Sequence, residues 1–230
     1  MSSGTCITIR RTIAPPDMRR IVVLLVGVIL LAPSSTVAMA ALPHAPVPTA
    51  HRADSTDVHR APRADIWQLL RTGTGYAVLL RHALAPGTGD PPGFRLGDCS
   101  TQRNLSPEGR RQAIAIGAQW RRERMPVARV LTSRWCRARD TARLLAVGPV
   151  TAYPALDSSF TVSETIAARR TAKVRGLIAR HRGEPGVLVL VGHQVNITDL
   201  TGVMPSSGQA VIVSSRADGS LRVVGTLPLP

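Results

Sequence analysis

Aromatic side chains are scarce, only 3% of the 230 residues. A core must therefore be filled by aliphatic side chains and alanine, which the 44% apolar content allows. Lysine is nearly absent, with 28 arginines and a single Lys173. Such a bias follows codon composition as readily as chemistry. The three cysteines and six histidines include no Cys-x-x-Cys or His-x-x-x-His spacing. This excludes the usual structural zinc patterns. No Gly-Lys-Ser/Thr follows Gly87-Thr88-Gly89, which excludes a nucleotide P-loop. No basic run is interleaved with aromatics, so no dedicated nucleic-acid site is expected. The longest apolar run, over 21–32, is shorter than the ~20 residues a membrane span needs.

That run does fit a targeting segment. Met18-Arg19-Arg20 is a short positive start, and Ala38-Met39-Ala40 supplies the small-x-small pattern of a cleavage site. Residues 1–17 then precede the signal, with Met18 as the start of the signal proper. The expected organisation is an N-terminal extension and signal over 1–40, a linker over 41–64 and a folded domain over 65–230. The linker is rich in Pro, Ala, Ser and Thr and lacks apolar periodicity. Cleavage after Ala40 leaves a soluble, exported chain, periplasmic or secreted, without a membrane span. It also removes Cys6 and leaves Cys99 and Cys136. An even pair in an exported chain points to one disulfide. The formal charge of +15 suits anionic ligands, though a merely soluble basic surface fits it equally well.

From Asp65 the chain alternates helix and strand. Asp65 can cap a short helix ending near Arg71. Apolar runs over 76–80, 127–131 and 186–191 read as buried strands. Ser106-Pro107 opens a helix reaching about Arg124. Further helices are expected over 136–146, from Ser163 to about His181, and from near Asn196, read as a cap. Strands over 210–214 and 221–227, joined by Ala217-Asp218-Gly219-Ser220, form a hairpin. The expected fold is α/β: a three-layer sandwich with a largely parallel sheet, helices on both faces and a C-terminal edge hairpin.

Ligands of such folds sit beyond the carboxyl ends of the strands. Three apolar runs end in chemistry. Arg81-His82 follows the first, Ser133-Arg134-Trp135-Cys136-Arg137 the second and Gly192-His193 the third. If the strands share a sheet, two histidines and several arginines converge. Neutral imidazole is nucleophilic near pH 7. Guanidinium forks match phosphate oxygens and stay charged. The set suits phosphoryl transfer.

Four segments in order resemble the histidine phosphatase superfamily, whose fold is phosphoglycerate mutase-like. Leu79-Leu80-Arg81-His82-Ala83 is similar to its Arg-His-Gly signature, with Ala83 for glycine. Leu105-Ser-Pro-Glu-Gly109-Arg-Arg-Gln112-Ala113 and Ser133-Arg-Trp-Cys-Arg137-Ala138-Arg-Asp-Thr141-Ala142 resemble its second and third segments, and Gly192-His193 its second histidine. The resemblance implies a phosphohistidine on His82, with Arg81, Arg137 and His193 holding the phosphoryl group, and core chemistry without a metal or cofactor. It also implies a proton donor after the third segment, where Asp157 is nearest and Glu164 the alternative; a water or His193 could serve instead. Arg134 is a candidate substrate contact. The irregular insert over 87–99 is expected to line the pocket mouth, with Asp90 and Arg95 as contacts. The expected activity is phosphomonoester hydrolysis of a phosphorylated small molecule or envelope phosphosugar. A phosphosugar mutase and a phosphate-bearing ligand binder without turnover are the alternatives.

Overall fold

The computed structural model describes residues 63–227. The signal-like segment, its extension and nearly all of the expected linker lie outside these residues. Eleven regular elements follow one another: α1 (Arg63–Thr72), β1 (Tyr76–Arg81), α2 (Pro107–Arg122), β2 (Val127–Thr132), α3 (Cys136–Leu145), β3 (Val150–Ala152), α4 (Glu164–Arg180), β4 (Val187–Gly192), α5 (Gln194–Thr201), β5 (Ala210–Ser215) and β6 (Leu221–Leu227). The sheet order is β3-β2-β4-β1-β5-β6. β3, β2, β4 and β1 run parallel. β5 is antiparallel to β1 and to β6, which gives the expected edge hairpin.

Side-chain alternation splits the core into two layers. Val78, Leu80, Val130, Val189 and Ile212 point to one face, covered by Leu70 of α1, Ile116 and Trp120 of α2, and Leu145 of α3. Ala77, Leu79, Leu188, Leu190 and Val211 point to the other, covered by Val174 and Ile178 of α4 and Ile197 and Leu200 of α5. All six residues of β4 are buried. A central parallel strand is covered on both faces and so needs no polar alternation.

The helix starts follow local chemistry. Ser106 caps α2, its side chain accepting from the Gly109 N–H, with Pro107 in the first turn. Gly117 sits where α2 meets α3: a Cβ there would lie 1.9 Å from the Leu145 carbonyl oxygen. Only glycine permits this approach.

Several boundaries move. The first helix begins at Arg63, ahead of the expected Asp65. β3 was not expected; it is three residues long and not fully buried. α5 starts at Gln194, with His193 as its N-cap residue. Asn196 is therefore no cap. It is buried inside α5, donating to the Asp157 carbonyl (2.9 Å) and the Ser159 hydroxyl (3.2 Å).

Candidate active site

The sheet brings the two histidines together. Arg81 pairs in register with Gly192, and the ladder runs one residue further, the His82 N–H donating to the Gly192 carbonyl at 2.9 Å. His82 and His193 are thus the first residues past two neighbouring parallel strands. Their rings meet edge to face, centroids 5.5 Å apart. The Ser133 N–H donates to the Val191 carbonyl at 2.9 Å, which fixes the end of β2 beside them.

His82 is buried, and its Nδ1 lies 2.8 Å from the Ala83 carbonyl oxygen. A carbonyl only accepts, so Nδ1 carries the proton and Nε2 the lone pair. Burial lowers the His82 pKa from 6.5 to about 3; Arg137, Arg103 and Arg81 push the same way, while the Ala83 contact opposes. The ring is therefore neutral at pH 7. His193 is also buried, its Nε2 2.9 Å from the Ser133 hydroxyl. Burial first, then His82 and the arginines, hold its pKa well below the ordinary range.

The loop after His82 is braced by the second and third sequence segments. The Ala83 N–H donates to Thr141 (3.0 Å) and the Leu84 N–H to the Gln112 side chain (2.9 Å). A Cβ at Gly109 would lie 2.0 Å from the Leu84 carbonyl oxygen, so glycine lets α2 approach this loop.

A cleft of about 350 Å³ opens over the histidines. Arg81, His82, Asp90, Arg103, Arg137 and His193 line its floor. Arg137 is buried at the start of α3. Its two terminal nitrogens donate to the Asp90 carboxylate at 2.6 and 3.2 Å. Asp90 also accepts from Trp135 Nε1 (2.9 Å) and the Arg103 N–H (3.1 Å). Its pKa is lowered by these bonds, chiefly from Arg137, against burial. Arg81 donates to the Pro205 carbonyl (2.9 Å). Arg103 donates to the carbonyls of Gly89 (2.7 Å) and Ala85. The Nε atoms of Arg81 and Arg137 are buried donors without a partner in the protein. Such donors are rare unless a ligand oxygen completes them.

Four of the expected residues, Arg81, His82, Arg137 and His193, do converge. Asp90 reaches the cleft, but its carboxylate anchors Arg137. Three others do not face it. Asp157 is fully buried; both its oxygens accept from Arg134, from the backbone N–H (2.9 Å), Nε (2.9 Å) and Nη2 (2.6 Å). Asp157, the expected proton donor, thus braces Arg134 and does not line the cleft. Arg134 is correspondingly spent on Asp157. Arg95 pairs with Asp98 at 3.0 Å, its side chain 73% exposed. Glu164 is exposed in the first turn of α4. Arg103 was missed: it follows no strand, and no spacing marks it.

Cys99 and Cys136 are joined by a disulfide, Cα atoms 5.7 Å apart. It ties the end of the insert to the residue before Arg137. Among the described residues no cluster of three metal-ligating side chains occurs, and no helix is long and apolar enough to cross a membrane.

Residues 78–160 match the family model of the histidine phosphatase superfamily, branch 1. No curated protein sequence matches the chain. Among solved structures, a phosphoserine phosphatase from Entamoeba histolytica in complex with 3-phosphoglyceric acid superposes with a TM-score of 0.50 at 14% identity, over 66% of this chain and 96% of its own. The protein histidine phosphatase SixA complexed with tungstate gives 0.48 at 13% identity, over 66% and 96%. Phosphoglycerate mutase from Plasmodium falciparum gives 0.42 at 15% identity, over 66% and 93%. At 14% identity the likeness to the first of these speaks to the fold alone.

Proposed function

We propose that the chain, whose residues 78–160 match the histidine phosphatase superfamily model, hydrolyses phosphomonoesters through a phosphohistidine on His82. The observation that carries this reading is the state of His82: neutral, with Nδ1–H on the Ala83 carbonyl and the Nε2 lone pair left over, beneath three guanidinium groups. Nε2 attacks phosphorus and the ester P–O bond breaks. The departing oxygen takes its proton from solvent water. A second water then attacks the phosphohistidine, its proton passing to the released phosphate. The fixed cations Arg81, Arg103 and Arg137 stabilise the charge on the transferring group, which is where such sites gain most of their rate. Asp90 keeps Arg137 oriented while leaving its Nε free for a phosphoryl oxygen.

Incubating the full-length chain with a 32P-labelled phosphomonoester and quenching in base tests this directly. Label should be retained at His82 and inorganic phosphate should accumulate. Binding without label on the protein would instead favour a binder. Return of label to an isomer of the substrate would favour a mutase.

Export belongs to the same proposal. The signal-like segment over 18–40 and the bonded cysteine pair support it, since disulfides persist in oxidising compartments. Mass spectrometry of the expressed protein should find a new N-terminus at Ala41 in the periplasmic or secreted fraction.

A further inference from the structure

The chain has seven aromatic residues. Four of them pack on the core: Trp67, Trp120, Tyr76 and Tyr153. The other three, Phe94, Trp135 and Phe160, all line the cleft over His82. In a protein this poor in aromatics, that placement is not what core filling requires. Phe160 is 56% exposed and belongs to no core cluster. Phe94 comes from the insert, Trp135 from the turn before α3, and Phe160 from the loop before α4. No shared secondary structure forces them together.

The rings form a wall that begins at the reacting centre. Trp135 meets His193 edge to face at 5.7 Å. Phe94 stacks on Trp135 at 5.0 Å, their planes 21° apart. Trp135 is oriented by its Nε1–H bond to Asp90, and Asp90 in turn holds Arg137. The phosphate clamp and the aromatic wall are therefore positioned by one carboxylate.

Charge is distributed to match. All three lining arginines act on His82 and sit at the phosphate end. The remaining wall is neutral: Thr88, Thr161 and Val195 accompany the rings. The lining carboxylate, Asp90, is taken up by Arg137 at the phosphate end. A leaving group bearing its own carboxylate or second phosphate finds no cation beyond those that take the first phosphate.

Resting on the phosphatase reading above, we propose that the substrate is a phosphomonoester whose leaving group carries a flat aromatic ring, stacked against the Phe94–Trp135–Phe160 wall. Nucleoside monophosphates and arylmethyl phosphates share this chemistry. Stacking of a base on an aromatic side chain gives selectivity of about 10- to 100-fold.

Steady-state kinetics of the full-length protein on two matched pairs tests it. Adenosine 5′-monophosphate and ribose 5-phosphate share the same ester oxygen type and differ by the base. Benzyl and cyclohexylmethyl phosphate differ by ring flatness. The expected kcat/KM ratio is about 10- to 100-fold in favour of the ring in the first pair, and at least about threefold in the second. Phe160→Ala should bring the first ratio down by about threefold or more. Ratios near one in the first pair would overturn the inference, and so would equal turnover of benzyl and cyclohexylmethyl phosphate, which would leave only apolar bulk. Phosphate release from ribose 5-phosphate in either case would leave the phosphatase reading standing. No release from any of the four, with no label on His82, would fail that reading instead.

Discussion

The site is assembled from two regions built in different ways. His82 and His193 stand on the ends of adjacent central strands, held by the backbone ladder and flanked by a core buried on both faces. The insert that carries Asp90 and Phe94 is irregular until its last residue, Cys99, which opens the short 3-10 helix Cys99–Thr101. It is fixed by side chains: Arg103 on Gly89 and Ala85, Gln102 on the Arg95 carbonyl, and the Cys99–Cys136 bridge. The strand ends can keep one reaction constant because their geometry comes with the sheet. The insert can change length and residues without disturbing that sheet, so under the proposed function it is where substrate choice would be set. Loops on a rigid scaffold commonly divide the labour this way.

Substitution on the strand side should have the largest effect. His82→Ala is expected to abolish phosphate release while the circular dichroism spectrum and melting transition stay near wild type; a folded variant with unchanged turnover would remove the nucleophile from the sheet. Arg137→Ala, at the junction of the two regions, should lower kcat by about 10²–10³-fold, the usual loss when one fixed donor to a developing charge is removed. Arg137→Lys should recover only part of it, since an ammonium cannot hold Asp90 and a phosphoryl oxygen with one planar fork. On the insert side, replacing both cysteines by serine opens a covalent link across 37 residues. Chemical denaturation should then show a loss of about 3–4 kcal/mol on the chain-entropy estimate. A loss of kcat/KM without any loss of His82 labelling would sharpen the division of roles.

The most gradual effect is one of pH. The His82 pKa is lowered from 6.5 to about 3, so between these values the unfolded chain binds a proton that the folded chain refuses. Its contribution to stability is complete above about pH 6.5 and is lost as pH falls, by about 1.4 kcal/mol per unit. His193 acts in the same direction. Urea midpoints taken from pH 7 to pH 4 should fall for the native protein and fall less steeply for His82→Asn. Equal slopes would mean that His82 is not buried in its neutral form.

The strand-end half of this site is legible in the sequence because each residue follows an apolar run, and sheet topology does the rest. β3 is not legible. Val150, Thr151 and Ala152 make no apolar run, and an edge strand needs none. The loop half is hidden for a different reason. Asp157 follows the third segment closely enough to look like an acid, but the side chain that claims it belongs to Arg134, 23 residues earlier. Arg103 is visible only as a lone arginine before the Leu105-Ser106-Pro107 run, because its partners Gly89 and Ala85 lie across an irregular loop. Phe94, Trp135 and Phe160 are spread over 67 positions of the chain, and no periodicity joins residues that meet through three separate loops.

Cys136 immediately precedes Arg137, and its partner closes the segment that supplies Asp90 and Phe94. The two core layers contain neither Asp90 nor Phe94 and can pack while both thiols are still reduced. Under the proposed export, maturation would have two separable stages, a non-covalent one that yields the scaffold and an oxidative one that finishes the binding cleft. A newly made chain in reducing surroundings would be a folded but unfinished catalyst, its insert free to leave Arg137. Oxidation would then act as the last step of assembly, so that activity appears where thiols are converted to disulfides and stays low where the chain is synthesised.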